Sequence, residues 1–310
     1  MRQTMRPGRV SRLALFLLAL PAFAARASAQ QPDSAIAVEA RAATPTSGVS
    51  TLRVAAGLAA TAVAIAPFDV AITRRLRASD LQRSNAWKNG AMVFDWYGAP
   101  GARAVGPLLA VAGSVARNST MSDIGIHDSE SYAAAAVAVY IVKGIAGRAR
   151  PYTVSSESAY DFELGRGFPH REPYSSFPSG HATGSFAFAA SVTVEAARRW
   201  PAHKVLIGGL AYGGAFLDGV SRVYRDTHWP SDVAAGALIG TVSGILVTRH
   251  QHAHPDNRLD ALARRVLFAP AADGRLLVGV ARAFSVTTPP RRFPSARGAA
   301  RSSRAGSAAA

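Results

Sequence analysis

Six apolar stretches between Leu52 and Thr248 constrain this chain more than any other feature. They read "VAAGLAATAVAIAPFDVAI", "AVGPLLAVAGSVA", "SYAAAAVAVYIVKGIAG", "HATGSFAFAASVTVEAA", "KVLIGGLAYGGAFLDGV" and "VAAGALIGTVSGILVT". Alanine dominates them and β-branched alternation is rare, so each reads as a helix rather than a strand. Small residues at close spacing, as in "LIGGLAYGGAFL", let helix backbones approach closely. The expectation is an all-α bundle of about six helices over residues 52–250, with no tandem repeat. Most uninterrupted runs are about 12–16 residues, short of the roughly 20 that cross a bilayer. Several are apolar all round, as buried or lipid-facing helices are. The mean hydropathy of +0.10 lies between the two cases. The balance tips slightly toward a soluble exported bundle over a multi-span membrane protein.

The ends of the chain are of a different kind. "MRQTMRPGRVSR" carries four arginines, an apolar run follows from Leu13 to Ala24, and "ASA" stands at Ala27–Ala29. Basic, apolar, then small-x-small is the layout of a secretory signal, most simply cleaved after Ala29. Residues 30–51 read as an Ala-, Thr- and Ser-rich linker. In the extension 251–285, "RVLFAPA" and "GRLLVGVARAF" flank an Asp-Gly and allow a small hairpin. Residues 286–310 form a basic Pro-, Ser- and Ala-rich tail without apolar periodicity, expected to be disordered. Ten arginines lie in the first 29 and last 25 residues, so the net charge of +16 falls to +6 over residues 30–285. That makes a nucleic-acid partner a poor reading. Cysteine is absent from the 310 residues, which excludes disulfides, thiolate catalysis and thiolate-bound zinc.

Three short motifs carry chemistry. In "KGIAGRARP", Lys143 and Arg150 are two helical turns apart, which would put both cations on one face of a helix that Pro151 stops. In "PSGH", Ser179 is a good N-cap and the unpaired N–H groups behind it favour a phosphate-like anion, with His181 in the first turn beside it. In "SRVYRDTHWPSD", Arg222 supplies a fork of donors suited to phosphate. Pro230 suits the first turn of a new helix, and Asp232 follows His228 by four residues. At that spacing the carboxylate can accept the Nδ1 proton and leave Nε2 free to attack. Each motif also has a plain reading: a basic helix end, a capped helix with a surface histidine, a helix-start His–Asp contact. A divalent metal on His181 and His228 would sit among several cations, a poor site. Together the parts are those of phosphoryl transfer without a metal.

These residues resemble the type 2 phosphatidic acid phosphatase (PAP2) superfamily, which takes in acid phosphatases, lipid phosphatases and vanadium haloperoxidases. The family pattern is Lys-x6-Arg-Pro, Pro-Ser-Gly-His and Ser-Arg-x5-His-x3-Asp, and "KGIAGRARP", "PSGH" and "SRVYRDTHWPSD" meet it in order. The resemblance implies a PAP2-type helical bundle and a role for each residue. Lys143, Arg150 and Arg222 would bind the phosphate oxygens, helped by Ser179 and the Gly180 N–H. His228 would be the nucleophile that forms a phosphohistidine, and Asp232 would hold and polarise it. His181 would protonate the leaving oxygen and then activate water. No cofactor and no metal are expected.

The neighbouring charges receive bland readings. Arg148 reads as a solvent or headgroup contact, Arg225 and Asp226 as a mutual pair or solvent-facing, and His127, Asp128 and Glu130 as a helix start. The loop from Tyr152 to Phe177 joins the first two motifs and is expected to select substrate. The expected activity is hydrolysis of a lipid phosphate, an isoprenoid diphosphate or a soluble phosphomonoester in the periplasm or cell envelope. The alternatives are a vanadate-dependent haloperoxidase and a non-catalytic envelope module that binds anionic lipid.

Overall fold

A computed structural model of the chain describes residues 50–154, 158–169, 171–255, 266–270 and 276–280. The expected signal segment, nearly all of the linker and the basic tail lie outside the described residues. All six apolar stretches are helical. In chain order the helices are α1 (Thr51–Ile65), α2 (Asp69–Leu76), α3 (Ser79–Arg83), α4 (Asn85–Trp96), α5 (Ala102–Val115), α6 (Ser119–Ala146), α7 (Arg171–Tyr174), α8 (Gly180–Arg199), α9 (Lys204–Tyr224) and α10 (Pro230–Ala253). Beyond them β1 (Val266–Pro270) and β2 (Leu276–Val280) pair antiparallel, with Val266 opposite Val280. Helix α4 belongs to none of the six stretches, because "NAWKNGAMVFDW" mixes polar and apolar residues too evenly to stand out.

Helices α6, α8 and α10 pack side by side, and glycine sets how closely. Gly236, Gly240 and Gly244 recur every four residues and so line one face of α10. A Cβ on them would lie 2.5 Å from the Ser179 carbonyl oxygen, 2.2 Å from that of Thr183 and 2.5 Å from that of Ala187. Only glycine permits this approach, which brings the start of α10 against the start of α8. In the "LIGGLAYGGAFL" stretch of α9 the glycines divide: a Cβ on Gly208 or Gly214 would meet the Thr193 or Tyr97 side chain at 3.0 or 2.7 Å, whereas Gly209 and Gly213 have open space. A small core of Ala102, Phe188, Ala189, Val192, Ala211 and Ala215 joins α5, α8 and α9.

The outer surface departs from the soluble expectation. Thr51–Leu76, Ser119–Thr153 and Pro230–Ala253 are 26, 35 and 24 residues long and apolar enough to cross a membrane. At 1.5 Å per residue even the shortest reaches about 36 Å, more than the roughly 30 Å hydrocarbon core. Large apolar side chains point outward from them: Val63, Phe68, Val137, Ile141 and Leu246 are all exposed. An apolar exterior on this scale belongs to a membrane protein. The apolar runs understated the spans because the helices continue through Ser, Thr, His and Gly residues that neighbouring helices bury.

Candidate active site

The first motif is not one helical face. Helix α6 ends at Ala146, where Gly147 takes φ 52° and its N–H bonds the Lys143 carbonyl at 3.2 Å. A Cβ at Gly147 would collide with the Glu163 carbonyl oxygen at 2.1 Å. The chain therefore leaves the helix before Arg150, whose backbone N–H bonds the Pro173 carbonyl at 2.9 Å. The two cations meet through this reversal instead of through helical periodicity. The Lys143 ammonium donates to the Ser175 carbonyl, and an Arg150 guanidinium nitrogen lies 3.3 Å from Ser175 Oγ.

Ser179 caps α8, its hydroxyl accepting from the Ala182 N–H at 3.4 Å, and its own N–H donates to the Asp232 carbonyl at 2.9 Å. That second bond ties the "PSGH" turn to the start of α10. Gly180 stands beside the Lys143 stem, which a Cβ there would meet at 3.7 Å. His181 is partly exposed, with Nε2 3.6 Å from Asp95 Oδ1. Burial and the Arg222 charge push its pKa down to about 3, against the pull of Asp95.

Arg222 lies in the last turn of α9 and pairs with Asp95 of α4. Asp95 also stands 3.4 Å from Arg225. A carboxylate thus sits among the cations and the histidine that a phosphate would engage. The Nε atoms of Arg150 and Arg222 are buried donors with no acceptor among the described residues. Buried donors left in this state favour an incoming oxyanion.

His228 is buried, and its Nδ1 contacts the Ser176 carbonyl oxygen at 2.8 Å. Asp232 Oδ2 is 3.6 Å from the same nitrogen, too far for the direct hydrogen bond expected from the four-residue spacing. A carbonyl only accepts, so Nδ1 carries the proton and Nε2 holds the free lone pair. Asp232 acts one step back. Its Oδ2 accepts the Ser176 hydroxyl at 2.5 Å and the Trp229 N–H at 2.8 Å, fixing both segments that flank the imidazole. Burial depresses the His228 pKa to about 3, and Lys143 and Arg150 add to this, while Asp232 opposes it.

Arg148 is the largest departure from expectation: it is 1% exposed, not a surface contact. Its guanidinium reaches Asp232 Oδ1 at 2.6 Å, Asp69 Oδ2 at 2.7 Å, Ser231 Oγ at 2.8 Å and the Ala159 carbonyl at 2.5 Å. Phe162 and Trp229 cover it at 4.8 and 5.5 Å from the ring centroids. Asp69 also accepts the Ser231 N–H at 2.8 Å, so α2 is fastened to the first turn of α10. The other bland readings change in part. Asp226 pairs with Arg77 rather than Arg225, while Arg225 is exposed, as its solvent-facing reading has it, with Asp95 at 3.4 Å. His127 and Asp128 are buried inside α6, which starts at Ser119 after its Asn118 cap, so they are no helix start.

The structure thus brings Lys143, Arg150, Ser179, Gly180, His181, Arg222, His228 and Asp232 to one end of the bundle. Asp69, Asp95 and Ser176 join them there without having been singled out from the sequence, and Arg148 joins them in place of the surface contact expected of it. An open cleft of about 410 Å³ reaches Lys143 and Ser175 between Tyr140 and Phe168. Tyr140 and Phe168 on its wall are both exposed. Phe168 and Glu172 bring the loop between the first two motifs to its wall.

Comparison with known proteins agrees with the motifs. The PAP2 superfamily model matches residues 129–255. Lipid A 1-phosphatase of Porphyromonas gingivalis is 35% identical over 89 residues, 29% of this chain and 19% of that protein. The putative undecaprenyl-diphosphatase YbjG of Escherichia coli is 35% identical over 79 residues, 26% of this chain and 36% of that protein. The matched segments span about a fifth and about a third of those two relatives. A transmembrane PAP2-type phosphatidylglycerolphosphate phosphatase from Bacillus subtilis superposes with a TM-score of 0.49 at 22% identity, over 67% of this chain and 98% of that one.

Proposed function

We propose that the chain is a PAP2-type membrane phosphatase acting on a lipid phosphate or an isoprenoid diphosphate, the PAP2 superfamily model matching residues 129–255. The observation that carries the proposal is the meeting of three cations and the α8 N-terminus with two histidines of different surroundings. Lys143 and Arg222 both act electrostatically on His181, while Lys143 and Arg150 act on His228. A dianionic phosphate entering this cradle takes Arg222 from Asp95 and gains the unpaired Arg150 and Arg222 donors. Fixed donors aimed at developing charge supply the stabilisation that phosphoryl transfer needs.

The proposed chemistry uses the tautomer set by Ser176. The His228 Nε2 lone pair attacks phosphorus, the N–P bond forms, and the P–O bond to the leaving group breaks. His181 gives its proton to the departing oxygen. A water molecule then attacks the phosphohistidine, passing a proton to His181, and the N–P bond breaks to release phosphate. In the free protein both imidazoles are neutral near pH 7, which suits a nucleophile but not an acid. Bound phosphate changes this, because its negative charge offsets the cations that hold His181 down and raises its pKa. Asp232 positions the Ser176 and Trp229 segments around the nucleophile and stabilises the positive ring that forms.

The cleft beside Tyr140 and Phe168 favours a substrate with an apolar body, since these two exposed rings form part of its wall. The layout of residues 1–29 supports placement in the cell envelope, and the three long helices support an integral form there. Phosphate release from a lipid phosphate, an isoprenoid diphosphate and a soluble aryl phosphate, measured side by side in detergent, tests the reading. The lipidic substrates are expected to turn over with the higher kcat/KM. Halide oxidation with vanadate and no phosphate release would favour a haloperoxidase instead, and lipid binding without turnover a non-catalytic module.

A further inference from the structure

A second cluster of ionisable groups lies at the opposite end of the same three helices. Glu195 is about 21 Å along α8 from His181, and His127 about 24 Å along α6 from Lys143, at 1.5 Å per residue. Here His127 Nδ1 approaches Glu195 Oε1 at 2.6 Å and His252 Nε2 approaches the same oxygen at 2.9 Å. The two rings meet edge to face with centroids 5.0 Å apart. One nitrogen from α6, one carboxylate from α8 and one nitrogen from α10 therefore converge, all within 4.8 Å of one another.

We propose that His127, Glu195 and His252 form a site for a divalent transition metal of the Zn²⁺ class. Two imidazoles and one carboxylate are a ligand set that zinc accepts, with a fourth position left for water. Tetrahedral ligands at about 2.0–2.1 Å from the metal stand about 3.3 Å apart. The two contacts to Glu195 would open by less than about 1 Å, and the two imidazole nitrogens, within 4.8 Å of each other, would draw toward the same spacing to seat the ion. Both rings stay neutral on binding: each moves its proton to its other nitrogen and turns a lone pair to the metal.

The surroundings suit a cation. Glu195 Oε2 is bonded to Arg199 at 2.7 Å, and Arg199 also pairs with Asp123 at 3.1 Å. With neutral imidazoles the group formed by Glu195, Asp123 and Arg199 carries one net negative charge. Arg199 orients the carboxylate from behind, the role an outer partner of a metal ligand plays. Glu195 and His127 are buried at 1% and 4% side-chain exposure, whereas His252 at 16% leaves an edge open for entry. A metal here would clamp α6, α8 and α10, which carry Lys143, His181 and Asp232, at the end away from the chemistry. The inference is independent of the proposed reaction.

The test uses the full chain, purified in detergent without a polyhistidine tag and stripped with a chelator. Titration with Zn²⁺ should give one tightly held ion per chain and a rise of several degrees in Tm that chelator reverses, because only the folded state offers the three ligands. Co²⁺ in its place should give visible ligand-field bands. His252→Ala, at the open edge, should weaken Zn²⁺ binding at least tenfold and remove the rise in Tm. The neighbouring His250→Ala/His254→Ala double variant should keep both, which separates the site from the exposed histidines at the end of α10. No Zn²⁺ retained by the wild type, or binding that follows His250 and His254 and survives His127→Ala and His252→Ala, would overturn the proposal.

Discussion

Replacing Arg148 with methionine tests the architecture behind His228. A surface arginine at this position could be removed for within about 0.5 kcal/mol. The buried one cannot, because Asp69 and Asp232 are both fully buried and each spends an oxygen on it. Removing one partner of a buried ion pair strands the other charge and costs about 3–5 kcal/mol. The Ala159 carbonyl loses its guanidinium donor as well, so the upper part of that range applies. For a chain of this size 1 kcal/mol moves Tm by roughly 2–4 °C, so a loss of about 4–5 kcal/mol should lower the Tm of Arg148→Met by roughly 8–20 °C. Activity should fall with it by about 10²-fold, since Asp232 loses the anchor that fixes the Ser176 and Trp229 segments. Thermal unfolding in detergent and initial rates on the same preparations read both effects. Adding Asp69→Asn removes one stranded charge, so the double variant should be less damaged than the sum of the singles, with a coupling of about 1–3 kcal/mol. A Tm for Arg148→Met within about 2 °C of wild type would refute the buried-network reading.

Three other outcomes follow from the geometry. His228 must be neutral to attack, and burial keeps it so down to about pH 3; once the second ionisation of the substrate phosphate, near about pH 6, is divided out, kcat/KM should hold between about pH 6 and pH 4, and a remaining fall with a midpoint near an ordinary imidazole pKa of about 6.5 would contradict this. Gly240→Leu forces side-chain atoms into the Thr183 carbonyl, which stands 2.2 Å from where the Cβ would be; the strain should cost at least about 1–3 kcal/mol and shift His228 and Asp232 relative to Ser179, so a wild-type Tm and rate would be evidence against tight α8–α10 packing. The chain has no cysteine, so Leu164→Cys at the site end and Ala202→Cys at the far end can each be probed alone with a membrane-impermeant maleimide; they should label from opposite sides, and labelling of both in intact cells would argue against a membrane-crossing bundle.

The eight residues that the structure brings together could be named from the sequence because each motif is short and local. Their grouping was only partly legible. Ser179 and Asp232 were named from separate motifs, and the backbone bond between them depends on the Gly236–Gly240–Gly244 face of α10. Lys143 and Arg150 were paired for the wrong reason, since helical periodicity does not survive the left-handed Gly147. Arg148 looked like a surface charge because its partner Asp69 lies 79 residues away and Asp232 lies 84 residues away. Asp95, 127 residues from Arg222, gives no local signal either. The bundle was legible from its alanine-rich runs, but its relation to the membrane was not. Counting uninterrupted apolar residues cut α6 and α10 short at their polar residues, yet Ser122, His127 and Ser131 of α6 and Thr241, Thr248 and Gln251 of α10 are buried among the helices.

The central claim is that phosphate passes through His228. Brief reaction of the detergent-purified protein with a ³²P-labelled lipid phosphate, quenched in alkali and resolved by peptide mapping, measures it directly. The account predicts an acid-labile, alkali-stable label on the peptide containing His228, absent from His228→Ala along with all turnover. Label on another residue, or phosphate release by His228→Ala at the wild-type rate, would contradict it.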